Sequence, residues 1–277
     1  MDQSTVCLTF DFDALSVWLG GYANVTPAML SRGEYGANVG VPRILRLLDR
    51  LGIPATFFVP GHTAESYPDA VEGIVDGGHE VGLHGYSHRD PSTQTPEEER
   101  LDFVRALETL VRVTGCRPKG YRSPSWDYST TTLGLLIDHG LLYDSSLFAH
   151  DYEPYHPRRG DRVGVDSPLE RGAESSLWEF PVAFCLDDWA HFAFNFDPLR
   201  VGLSAPSKVL EIWYGEYDYM IAHEPGGVLT VTMHPQIIGR GHRMAMLECF
   251  AAHVIGGGAA RFARLGDVAA ELTRAGA

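Results

Sequence analysis

Hydrophobic and polar positions follow two alternating periods along this chain. Residues 4–10 (STVCLTF) form a short apolar run rich in β-branched side chains, which predicts a buried strand. In 41–52 (VPRILRLLDRLG), Ile44, Leu45, Leu48 and Leu51 instead recur at helical spacing, with Pro42 near the first turn and Gly52 as the stop. The alternation continues through strand 53–59, helix 64–78, strand 79–84, helix 95–115, strand 118–122 and helix 130–140. Helix 95–115 opens with Thr95, Pro96 and three glutamates and ends at Gly115, good chemistry for both termini. Beyond a Pro-, Gly- and charge-rich stretch come strand 176–182, helix 206–224, strand 227–233 and closing helices near 243–255 and 265–275. Such alternation predicts an α/β fold with a largely parallel sheet. Seven or so units suit a closed β/α barrel, with a doubly wound open sheet as the alternative.

A barrel places chemistry just after its strands. Asp11 and Asp13 follow the first strand, His84 and His88 the third, Arg122 the fourth and His234 the strand at 227–233. Four residues separate the two histidines in HGYSH, so one turn or a tight loop brings both imidazoles to one point. Two imidazoles and a carboxylate form a catalytic type of metal set, suited to Zn²⁺ and tolerant of Co²⁺, Fe²⁺ or Ni²⁺. Side chains alternate along a strand, so Asp11 and Asp13 can share one face while Phe12 packs away. One carboxylate could then bind metal and the other take a proton. The plainer alternative is that Asp13 caps a loop and Asp11 pairs with an arginine.

Composition narrows the partners. A net charge of -14 over 277 residues leaves no basic patch for nucleic acid or an anionic membrane. Cys7, Cys116, Cys185 and Cys249 are widely spaced and form no CxxC pair, which argues against a disulfide framework or cysteine metal site. The opening MDQST has no basic leader and no apolar run is long enough to span a bilayer, so a cytoplasmic location is expected.

These residues resemble the polysaccharide deacetylases, the NodB-homology or carbohydrate esterase family 4 proteins. The family's TFDD motif corresponds to TFDFD at 9–13, its H-(S/T)-x-x-H motif to HGYSH at 84–88, and its R-x-P-x-W motif to RSPSW at 122–126. YDSS at 143–146 and VLTVTMH at 228–234 complete the series, and the likeness runs from about residue 5 to 260. The resemblance implies a distorted (β/α) barrel, with one catalytic domain over 1–277 and an insertion at about 145–205. It also implies that Asp13, His84 and His88 hold the metal, Asp11 is the base, and His234 is the acid. Arg122 would fix Asp11, and Trp126 would form the apolar wall that orients His234.

Three departures refine the resemblance. Phe12 separates the two aspartates, Gly85 replaces the usual Ser or Thr, and HPQIIGR at 234–240 is characteristic of the peptidoglycan-deacetylase-like branch. Relatives in that branch include cyclic imide and ureide hydrolases of the allantoinase type. Trp18 and the segment FCLDDWAHFAFNF at 184–196, with Asp187 and Asp188, add aromatic and acidic groups near the mouth as candidate substrate contacts. A lid lined in this way suits a small molecule or short glycan; the insertion could equally pack a subunit interface, and the branch resembled implies a homo-oligomer. The expected activity is metal-dependent removal of an N-acetyl group from a sugar or related small amide. Cyclic imide or ureide hydrolysis, or binding by a catalytically inactive site, are the alternatives.

Overall fold

The computed structural model describes residues 3–196 and 199–276. Its central sheet is built from β1 (Ser4–Asp11), β2 (Thr56–Val59), β3 (Glu80–Leu83), β4 (Gly120–Tyr121), β5 (Tyr143–Asp144), β6 (Trp178–Glu179), β7 (Val228–Met233) and β8 (Ala260–Phe262). The strands run in the order β6, β5, β4, β3, β2, β1, β7, with every pair parallel. β8, too short to stand out in the sequence, pairs with Ser4–Val6 of β1, below the Thr9–Asp11 stretch that pairs with β2.

This is barrel order, and the sheet curls accordingly, but the barrel is distorted and open. Among the described residues no ladder joins β6 to β7; a single parallel bridge between Asp187 and Thr232 spans the gap. The expectation of full closure is therefore corrected. The chain leaving β6 makes a short turn and a short helix, so no strand is long enough to seal the seam.

Strand alternation sorts the core into two sides. Val6, Leu8, Phe10 and Phe12 pack against the surrounding helices. Cys7 faces the other way, toward Phe58, Tyr143, Phe180 and Val228, and this inner cluster is closed by Leu265, Val268 and Ala269 of the C-terminal helix Leu265–Gly276. Fully burying a Leu or Phe contributes about 1.5–3 kcal/mol, so both layers stabilise the curl.

Several helices depart from expectation in instructive ways. The predicted helix at 41–52 is the second half of a longer rod: Pro27–Tyr35 continues through a π-helical turn at Gly36–Gly40 into Val41–Leu51. A Cβ at Gly40 would lie 2.3 Å from the Pro235 carbonyl oxygen, so this turn presses directly on the segment after His234. The predicted helix at 64–78 is split into Gly61–Ser66 and Pro68–Asp76 because proline disfavours helical geometry at Tyr67. Helix Pro96–Thr114 is capped as its sequence predicts, Thr95 and Glu98 forming a reciprocal capping box.

The segment 145–205, expected as an insertion, contains two different structures besides β6. Arg158–Arg159 pairs with Ala173–Glu174 and Arg162–Gly164 with Ser167–Glu170, all exposed. Residues 184–202 instead return to the carboxyl end of the sheet through the helix Asp188–Phe192 and the hairpin Phe194–Phe196 with Leu199–Val201. Residues 197 and 198 of the insertion lie outside the described residues.

Candidate active site

The carboxyl ends of β1, β3, β4 and β7 bring together Asp11, Asp13, His84, His88, Arg122 and His234, and all six are buried. Asp11 and Asp13 share the inner face because Phe12 turns outward into the core, as the alternation predicts. Asp13 Oδ1 lies 3.4 Å from His84 Nε2 and 3.7 Å from His88 Nε2. Among the described residues neither Asp13 Oδ1 nor His84 Nε2 has a hydrogen-bond partner. His84 Nδ1 is 2.7 Å from the Arg122 carbonyl, to which it donates, leaving the Nε2 lone pair directed at Asp13. These three side chains therefore fit a divalent cation in ligand type and in unpaired donor atoms.

Local backbone strain holds the ligands. His88 has φ of +60°, and Ala14, Ser125 and Trp126 around the same cavity also have positive φ. Gly85, where Ser or Thr was expected, has φ of +65°, which explains the glycine. The loop it permits is tied down by the Tyr86 N–H donating to Asp102 Oδ2 at 2.8 Å.

Arg122 fixes Asp11. Its Nη1 donates to Asp11 Oδ1 and to Thr9 Oγ1, both at 2.8 Å, while Nε and Nη2 donate to the carbonyl and hydroxyl of Ser145. The guanidinium also lies 4.3 Å over the Phe58 ring. Asp11 Oδ2 is left facing the histidines, 3.9 Å from His234 Nε2 and 4.0 Å from His84 Nε2.

His234 is oriented by groups other than the one expected. Asp188 accepts its backbone N–H at 3.0 Å and its Nδ1 proton at 2.7 Å, and Trp189 packs edge-on against the imidazole at 4.9 Å. Trp126 lines the same cavity as His234, its ring against Phe148 and Phe184, while Trp189 supplies the ring that packs on the imidazole. Asp188, expected to touch substrate, lies behind His234 and is fully buried. Trp18 is likewise behind the wall, stacked on Tyr22 and beneath Arg32, rather than in the cavity. Asp187 does line the cavity, 3.6 Å from His234 Nδ1.

Proton affinities follow from this packing. Burial lowers that of His234, but the hydrogen bond and charge of Asp188, with Asp187 and Asp13 behind, push it up to about 10. Burial raises Asp13, yet His88, His84 and His234 outweigh it and hold the carboxyl at about 2. Burial depresses His88 to about 4, while Asp11 and Asp13 overcome burial at His84 and raise it. Burial pushes Asp187 up to about 7.

The cavity above these groups measures about 220 Å³. Tyr22, Phe184, Trp189 and Arg200 are lining residues that sequence reasoning did not single out individually. Gln236, whose Nε2 donates to Asp13 Oδ2 at 3.3 Å, was visible only as part of HPQIIGR.

A curled parallel β/α sheet with buried carboxylates, histidines and a metal-fitting triad at its strand ends has the form of an enzyme site. The polysaccharide deacetylase family model matches residues 1–143, and the chain belongs to that family. It is 36% identical over 256 residues to a peptidoglycan deacetylase from Helicobacter pylori, covering 88% of this chain and 87% of that one. It is 28% identical to the peptidoglycan deacetylase-like protein FGM2 of Gibberella zeae, over 88% of this chain and 78% of that one. A Mycobacterium smegmatis structure assigned to the polysaccharide deacetylases superposes with a TM-score of 0.85 at 34% identity, covering 99% of this chain and 91% of that one. The Puue allantoinase shares the fold, with a TM-score of 0.77 at 22% identity over 96% of this chain and 89% of that one. The chain is therefore a hydrolase of carbon–nitrogen bonds other than peptide bonds.

Proposed function

We propose that the chain is a metal-dependent deacetylase that removes the acetyl group from an N-acetylated sugar or a related small amide. The observation that carries this reading is the convergence of Asp13, His84 and His88, with Asp13 Oδ1 and His84 Nε2 buried and, among the described residues, unpaired. Leaving such atoms without partners is costly, and a cation satisfies both. The ligand types suit Zn²⁺, or alternatively Co²⁺, Fe²⁺ or Ni²⁺.

A divalent cation, held by these three side chains, would supply Lewis acidity toward a scissile carbonyl and toward water. Asp11 Oδ2 takes the proton of the attacking water, and Arg122 keeps the carboxylate turned toward it by occupying Oδ1. His234, kept cationic by Asp188, gives its Nε2 proton to the departing nitrogen. Asp187 and Trp126 contact the substrate from the cavity wall.

A second reading is ring opening of a cyclic imide or ureide by the same groups. The cavity favours it: about 220 Å³ is small for a ligand site and suits one ring. We also propose that copies of the chain associate, because Val163, Val165, Leu199, Val201 and Leu203 are all exposed on the insertion.

The test is metal content by elemental analysis of wild type and His84→Ala, with acetate release from N-acetylglucosamine oligomers and opening of hydantoin-like rings assayed on the same samples. Near-stoichiometric zinc that is lost in the variant, with acetate release, supports the deacetylase. Ring opening without acetate release selects the second reading. Bound metal without turnover of any amide leaves an inactive binding site, and no metal after reconstitution overturns the mechanism.

A further inference from the structure

Arg200 is the one arginine or lysine among the described residues that line the cavity, and it lies outside the machinery described above. The other guanidinium groups nearby are committed. Arg122 is bound to Asp11 and Ser145, Arg32 donates to Asn195 and covers Trp18, and Arg243 donates to the Ile237 carbonyl and covers Phe192. Among the described residues Arg200 has no hydrogen bond, ion pair or ring contact.

Its position is nevertheless built. Arg200 is in register with Asn195 across the hairpin, so the two side chains share a face. Asn195 is buried, and its Oδ1 accepts from Arg32 at 2.8 Å. Arg32 in turn lies 4.6 Å over Trp18, which packs on the wall residues Tyr22 and Trp189. At the hairpin base the Gly202 N–H donates to the Ala193 carbonyl at 2.9 Å and the Ser204 N–H to the His191 carbonyl at 3.0 Å. A Cβ at Gly202 would lie 2.7 Å from that Ala193 oxygen, so the close approach requires glycine.

The charge around Arg200 defines what it can recognise. Asp11 and Asp13 form the floor and Asp187 part of the wall, but Arg122 is spent on Asp11 and His234 faces Asp188 and Asp187, which leaves Arg200 as the cation of the described lining free to meet an anionic group of a ligand. A single guanidinium, with no second arginine or lysine among the described lining residues, pairs bidentately with a carboxylate and balances its one charge, whereas a phosphate dianion would keep an unbalanced charge beside Asp187. We infer that Arg200 makes the cavity selective for N-acyl substrates that carry a carboxylate near the scissile amide; this rests on the amide-hydrolase reading above.

Isothermal calorimetry on the metal-loaded protein tests it with N-acetylmuramic acid and N-acetylglucosamine, which differ by a lactyl carboxylate. Wild type should bind the acid roughly tenfold more tightly. Arg200→Gln should lose that preference while binding N-acetylglucosamine as before, and Arg200→Lys should keep part of it. Equal binding of the two sugars by wild type, binding of neither, or a preference that survives in Arg200→Gln overturns the assignment. Titration of the chelated protein separates this from the metal reading. An Arg200-dependent preference in a protein that hydrolyses nothing keeps the carboxylate site and removes the mechanism.

Discussion

In the proposed mechanism Asp188 equips His234 to act as the acid without touching the reacting atoms, and its removal has a signed consequence. A general acid works below its own pKa, and the Asp188 hydrogen bond and charge are what raise His234 against burial. Asp188→Asn should lower kcat on the order of 10²-fold and move the alkaline limb of the pH–rate profile to lower pH. A profile whose alkaline limb stays in place would show that His234 is not the titrating acid. The sequence exposes the residues that end apolar runs, Asp11, Asp13, His84 and His234, because a charged side chain closing a buried strand has no ordinary structural use. It hides the partners: Asp188 and Trp189 lie in a segment without periodicity, so only the folded backbone distinguishes the aspartate behind His234 from Asp187 in the wall. The same limit misplaced Trp18, whose proximity in sequence to the aspartates brings it behind the cavity wall rather than into it.

Two substitutions separate elements that hold the fold from elements that hold the site. Thr95→Ala removes one half of the capping box on helix Pro96–Thr114, and should cost about 1 kcal/mol in urea denaturation with metal content unchanged. Gly85→Ser restores the residue type usual at that position, yet here φ is +65° and a Cβ would lie 3.1 Å from Asp102 Oδ2. It should cost about 1–2 kcal/mol and also weaken metal retention, since the strained loop carries both His84 and His88. Full metal occupancy in Gly85→Ser at native stability would mean the loop tolerates the family's usual residue. Long elements with strong caps, such as 95–115, are legible because local and tertiary preferences agree. Helix Pro27–Tyr35 escaped notice although Thr26 and Pro27 mark its start: its apolar periodicity is weak and two glycines interrupt its continuation. The two-residue strands of the insertion carry too few positions for a period of two to register.

At the scale of the whole molecule, the open seam after β6 places unusual demands on the last strand pair. Asp144 of β5 and Glu179 of β6 are fully buried beside each other, and both are raised, primarily by burial, with the Asp144 charge adding to the shift at Glu179. Glu179 Oε1 accepts the N–H groups of Ser146 at 2.8 Å and Leu147 at 2.9 Å, while Asp144 Oδ1 accepts the Ser146 hydroxyl at 2.9 Å. That hydroxyl accepts from the Ser123 N–H, next to Arg122, so the dyad ties the barrel edge to the site. Strand alternation cannot reveal it, because an acid in a two-residue strand reads as a loop residue until its neighbour across the sheet is known. A carboxyl whose folded pKa is raised holds its proton longer in the folded chain than in the unfolded one, so its stabilisation is complete below the unfolded value. It is lost as pH rises through the folded pKa. Glu179→Gln keeps the acceptor for Ser146 and Leu147 and offers an amide N–H to Asp144 without a proton to lose. Its urea midpoint should therefore fall less steeply than that of wild type as pH rises above about 4.5. Parallel slopes for the two proteins would place the titrating pair elsewhere and leave Asp144 and Glu179 as acceptors for Ser146 and Leu147 only.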